Sequence, residues 1–141
     1  MPLSARAAEL PVTSPFGWRI HPISGAWKFH SGVDLGYSEG AAIGALFSGE
    51  VVLAADMGDG YGLQVLIYHA SNDSYTRYAH CSRLNVVAGQ AVAAGSVIGL
   101  VGATGAATGA HLHLEYIVKV GGGYEYADPM ILWGNGLPSG E

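Results

Sequence analysis

A mainly β fold, built as an antiparallel sheet or a barrel-like set of short strands, is what this 141-residue sequence predicts. Three observations lead there. Half of the residues are hydrophobic and only 12% are charged, against roughly 25% charged in an ordinary soluble domain, so much of the chain must be buried. The 22 glycines cut the sequence into short pieces, and no window sustains apolar residues at three- and four-residue intervals without a glycine interrupting it. Between those breaks, short runs rich in β-branched and aromatic residues recur, bounded by Gly, Asn, Asp or Ser.

Residues 1–13 read as a loosely structured lead-in with Pro11 near its end, and residues 14–141 as a single domain, long enough for one core. The phrase SPFGWRIHP at 14–22 mixes aromatic and turn residues, as an ordered edge strand or loop does, and is expected to lie across the functional site. In FHSGVD, at 29–34, Gly32 and Val33 disfavour a helix, so an extended segment is preferred, with His30 and Asp34 on one face. Strands are expected at 49–55, 63–68, 74–79, 96–101 and 111–120, with hairpin connections at 54–62 and 69–74. The valine–glycine cadence of 86–99 suits a small hairpin capped by glycines. A terminal helical turn is expected at 128–133, with Pro129 at its first position.

The formal net charge is −5, and Lys and Arg are scattered singly, so no basic stripe is available for nucleic acid. No stretch of membrane-spanning length is free of glycine and charge, which argues against membrane insertion. The opening MPLSARAAEL lacks the apolar core of a signal peptide. The lone Cys81 excludes an intramolecular disulfide, and although it adjoins His80 it reads as a small buried hydrophobe rather than a nucleophile.

Four of the six histidines fall in three phrases, FHSGVD, YAH (78–80) and AHLH (110–113), and with Asp34 they make one candidate zinc site. Neutral imidazole is a common metal ligand, and catalytic zinc favours three protein ligands plus water. His30, Asp34 and one of His111 or His113 form such a set. In an extended strand His111 and His113 point to one side while Leu112 and Leu114 point to the other, so one segment serves both a metal and a core. Glu115 shares the histidine face, as an imidazole-orienting partner or a solvated carboxylate. Tyr78 should share the face of His80, in a groove or in the core. His69 reads as a solvated loop residue, and His21 as a groove residue or a neighbour of Trp18. Asp56, Asp59 and Asp73 lie in turns, where aspartate commonly bonds its own backbone.

Five phrases in order, RIHPISG (19–25), FHSGVDL (29–35), YAH, GQAVAAGSVIG (89–99) and TGAATGAHLHLE (104–115), resemble the lysostaphin-type (LytM-type) zinc metallopeptidases, which cut peptide cross-links of bacterial peptidoglycan. The likeness runs from about Ser14 to Asp128 and Pro129. It implies an open, strongly twisted antiparallel sheet with a second small sheet and long groove-forming loops, of the duplicated-hybrid-motif kind. It further implies that His30, Asp34 and His113 bind one zinc ion per chain, and that His80 and His111 are the catalytic histidines. Two departures stand out: Ala110 replaces a usual proline and Cys81 a usual leucine, changes expected to alter loop rigidity or packing only.

The implied partner is bacterial peptidoglycan, attacked outside the cytoplasm by a monomer. With no signal peptide legible, a phage or prophage lysin or an excised catalytic domain fits. Whether a glycine bridge or a D-alanyl cross-link to diaminopimelate is cut depends on loops around the groove, and the D-alanyl cross-link is the preferred reading. Of two competing classes, a wall-binding or regulatory module with a dead site would lack ligands, and none is missing. A lipoyl- or biotinyl-carrier domain needs a modifiable lysine, and 84–114 contains none.

Overall fold

A computed structural model describes residues 10–20 and 24–133. Five short strands come first: β1 (Val12–Ser14), β2 (Gly17–Ile20), β3 (Trp27–His30), β4 (Val33–Leu35) and β5 (Ala42–Gly44). Seven more follow, all but β9 longer: β6 (Gly49–Asp56), β7 (Leu63–His69), β8 (Ser74–Leu84), β9 (Ala91–Val92), β10 (Val97–Val101), β11 (Leu112–Val120) and β12 (Gly123–Ala127). A 3-10 turn, Pro129–Trp133, closes the described chain and meets the expectation for its terminus.

Ten strands form one sheet whose main path runs β1-β4-β11-β8-β7-β6-β9, and β2 and β3 form a separate two-stranded sheet. Every pairing is antiparallel. The mainly β architecture, with a large antiparallel sheet and a small second one, is therefore as expected. The β6–β7 and β7–β8 turns are the two expected hairpins.

Alternation along the central strands builds the core. Leu112 and Leu114 of β11 pack with Val33 and Leu35 of β4, Val65 and Ile67 of β7, Tyr78 of β8 and Ile98 of β10. Each such side chain contributes about 1.5–3 kcal/mol on full burial. Cys81 is buried there as well, which pushes its thiol up to about 12 and leaves it unreactive.

Several expectations are corrected. Leu10 is buried and Val12 pairs with Leu35, so the last residues of the expected lead-in belong to the fold. His30 and Asp34 do not share one strand: β3 and β4 lie in different sheets, separated by Ser31 and Gly32. Residues 86–99 are no self-contained hairpin, because β9 pairs with β6 whereas β10 pairs with β5 and β8. Apolar residues there find distant partners that a local cadence does not reveal. His69 is not solvated but 2% exposed: the β7–β8 pairing continues to His69 opposite Ser74, and its ring bonds the Ser48 carbonyl and Thr76.

Candidate metal centre

β4, β11 and β8 lie side by side, and that order gathers the site. Asp34 of β4 is registered opposite His113 of β11, and His113 opposite Ala79 of β8. His30, at the end of β3, joins them through the Ser31–Gly32 link. A Cβ on Gly32 would collide with the Leu114 carbonyl and crowd the His113 ring, so the close approach of this link to β11 requires glycine. One ligand atom each from His30, Asp34 and His113 lie within 4.8 Å of one another.

The tautomer of His30 is fixed, because a carbonyl can only accept. His30 donates through Nδ1 to Pro15 O at 2.8 Å, leaving Nε2 to face Asp34 Oδ2 at 3.4 Å. His113 turns the other way: Nδ1 lies 2.8 Å from Asp34 Oδ1 and Nε2 lies 2.9 Å from Glu115 Oε2. Beneath it Glu115 is wholly buried and also accepts from Ser31 and Tyr61, both at 2.6 Å, while Arg77 pairs with its other oxygen. Of the two readings of Glu115, the imidazole-orienting one fits this geometry.

The charges follow. Burial opposes ionisation of Asp34, yet bonds from His113 and His30 hold it well below the usual carboxylate range. Glu115 is opposed by burial too, and its bonds from His113, Ser31 and Tyr61 draw it down to about 2. His113 is buried, which favours the neutral ring, but Asp34 and Glu115 on either side raise it to about 9. A site that stabilises positive charge this strongly, with two imidazoles and a carboxylate converging, fits a zinc ion.

Two further imidazoles flank the ligands. His80 donates through Nδ1 to Thr104 O at 2.7 Å and His111 through Nδ1 to Gly109 O at 2.9 Å, so in each neutral ring Nε2 keeps a free lone pair. Their ring centroids are 4.8 Å apart, and His111 Nε2 stands 3.6 Å from Asp34 Oδ1. Burial pulls His80 down, toward the neutral form.

His80 and Tyr78 do not share a face. Between Val65↔Tyr78 and Leu63↔Cys81, β8 carries one residue more than β7, and His80 takes a φ of 63° at this bulge. The bulge turns His80 into the groove while Tyr78 stays in the core, its hydroxyl bonded to Leu46 N and Thr76. Gly62 makes this possible, since a Cβ there would meet the backbone and hydroxyl of Thr104, the residue that holds His80.

Asp56 and Asp59 cap their own turns through Gly58 N and Tyr61 N, as expected, whereas Asp73 bridges the Tyr68 and Tyr124 hydroxyls across strands. His21 lies outside the described residues. Tyr61, Arg77 and Arg19 went unread in the sequence. The first two meet Glu115 only across 54 and 38 residues, and the adjacent Gly60, Gly62 and strand alternation were the only local signals.

All five predicted site residues line one groove of about 540 Å³, together with Ser14, Arg19 and Tyr61, so Ser14 and Arg19 of the expected 14–22 segment border the site. Fold and donor set together define a mainly β domain with a candidate metal centre lining a groove. Residues 28–127 match peptidase family M23, and the chain belongs to that family.

The chain is 43% identical over 104 residues to the DD-carboxypeptidase/endopeptidase Mpg of Neisseria meningitidis, covering 74% of this chain and 24% of that protein. It thus spans about a quarter of the length of the curated relatives it matches first. Among solved structures, the catalytic domain of the antimicrobial peptidase lysostaphin from Staphylococcus simulans superposes with a TM-score of 0.78 at 30% identity, covering 91% of this chain and 95% of that one. A zinc-containing peptidase from Vibrio cholerae gives 0.68 at 37% identity, covering 74% and 32%. The resemblance seen in the ordered phrases is met.

Proposed function

We propose that this domain is a zinc-dependent endopeptidase that hydrolyses peptide cross-links of bacterial peptidoglycan, outside the cytoplasm, with one zinc per chain. The observation that carries the reading is the convergence of His30, Asp34 and His113 with two more imidazoles whose Nε2 lone pairs face the same space. A wall-binding module with a dead site is disfavoured because the donor set is complete. The names of relatives, a DD-endopeptidase and lysostaphin among them, support the substrate class.

His30 through Nε2, His113 through Nδ1 and Asp34 through its carboxylate would hold the ion. Zinc bound there supplies Lewis acidity, polarising a carbonyl and lowering the pKa of a coordinated water to about 7. Glu115 keeps the proton of His113 on Nε2, so that Nδ1 remains a donor to the metal. His111, with its Nδ1–H held by Gly109 O, takes the proton of the attacking water on Nε2 and passes it to the leaving amine. Burial keeps His80 neutral, so its Nε2 accepts a hydrogen bond and orients the water rather than donating to an oxyanion.

Mass spectrometry of fragments released from peptidoglycan tests this. Walls with D-alanyl–diaminopimelate cross-links should yield uncross-linked muropeptides, stop doing so on exhaustive chelation and resume on adding zinc. Unchanged hydrolysis after chelation would defeat the proposal.

A further inference from the structure

Arg19 is a groove residue that neither the metal centre nor the proton-handling pair uses. On β2 it pairs with Lys28 of β3, two residues along from the Gly17–His30 pair. Arg19 is therefore the diagonal neighbour of a metal ligand on the same face, at roughly 7–8 Å between backbones. The opposite face of the hairpin carries Trp18 and Trp27, 68% and 67% exposed, so the two faces are chemically distinct.

Among the described residues lining the groove Arg19 is the only lysine or arginine. Its Nε is buried without a hydrogen-bond partner, and among the described residues its guanidinium forms no ion pair. Directly opposite stands Lys28, a second cation, also unpaired among the described residues. Like charges facing each other across a strand pair are destabilising, and an unsatisfied buried donor costs more. An anion bound in the groove would give the Arg19 guanidinium the partner it lacks. A guanidinium fork matches a carboxylate with two parallel bonds.

We infer that Arg19 is a specificity-determining residue that binds a free carboxylate of the substrate beside the scissile bond. The inference rests on the peptidoglycan reading above and narrows it. Diaminopimelate has two amines and two carboxylates, and the carbon bearing its cross-linked amine also bears a free carboxylate, whose carbon lies two bonds from the scissile nitrogen. The interior residues of a glycine bridge carry no such group. Arg19 thus selects the D-alanyl–diaminopimelate cross-link over the glycine bridge and discriminates against diaminopimelate whose carboxyl is amidated.

The test compares two purified D-alanyl–diaminopimelate muropeptide dimers, one with the free carboxylate and one amidated, as substrates for the zinc-loaded wild type, R19Q and R19K. The wild type should prefer the carboxylate dimer by roughly 10- to 100-fold in kcat/KM, chiefly through KM, the range one charge-assisted contact supplies. R19Q should lose that preference by falling on the carboxylate dimer alone, and R19K should retain part of it, having charge without the fork. Equal cleavage of both dimers by the wild type, or an equal loss on both in R19Q, would overturn the assignment while leaving the endopeptidase reading intact. An enzyme that cuts neither dimer but opens glycine bridges would overturn the cross-link reading and the Arg19 assignment together.

Discussion

His113 and the other three histidines of the candidate site are held in different ways, since His30 too gives its Nδ1–H to a backbone carbonyl, that of Pro15. His113 is gripped by side chains, between Asp34 and a wholly buried Glu115 that is itself bonded by Ser31, Tyr61 and Arg77. His80 and His111 give their Nδ1–H to backbone carbonyls, Thr104 O and Gly109 O, of the loop that precedes β11, and the nearest carboxylate oxygen to His111 Nε2, Asp34 Oδ1, is 3.6 Å away. A ligand must offer a lone pair to a cation, and negative partners strengthen that. A proton carrier must change charge repeatedly, and a neutral carbonyl fixes its tautomer without locking it into the protonated form.

The contrast can be broken from either side. Replacing His111 by Ala should lower kcat by about 10²- to 10⁴-fold, the usual contribution of a general base, with zinc content unchanged. Steady-state kinetics beside metal analysis checks this, and a variant that loses its zinc would place His111 among the metal ligands. Glu115→Gln should weaken zinc affinity by about 10- to 100-fold, as loss of a partner behind a ligating histidine does. Competition with a chromogenic chelator reads that directly, and affinity equal to wild type would mean that Glu115 only packs.

The smallest effect lies outside the centre. Burial lowers the pKa of His69, whereas in the unfolded chain it is about 6.5. Its contribution to stability is therefore complete above about pH 6.5 and is lost as pH falls through the depressed folded value, by at most about 1.4 kcal/mol per pH unit. Thermal melts of wild type and His69→Gln, with chelator present throughout so that zinc release does not intervene, should show a shallower acid decline in the variant. Parallel curves would contradict the assignment.

What the sequence disclosed follows the same division. Strands β6, β7, β8, β10 and β11 were legible because turn residues bound short runs rich in β-branched, aliphatic and aromatic residues. β2 and β3 were obscure because Trp18, Ile20, Trp27 and Phe29 are apolar yet exposed, so no core pattern marks them. Residue type and spacing grouped the histidine phrases with Asp34 as one candidate site, and the family resemblance divided their roles, but neither disclosed the bonds of Glu115 to Ser31, Tyr61 and Arg77, which lie 38 to 84 residues from it along the chain. Nor could alternation place His80, since a bulge with φ 63° breaks it between Tyr78 and Cys81. His69 was misread because the β7–β8 ladder extends to the edge of its turn.

The central claim is the division of labour within the segment from His111 to His113. Zinc per chain, measured by metal analysis on wild type, His111→Ala and His113→Ala after dialysis at equal free zinc, tests it most directly. About one zinc is expected in wild type and in the His111 variant, as a three-ligand site implies, and none in the His113 variant. Zinc retained without His113 but lost without His111 would contradict the account.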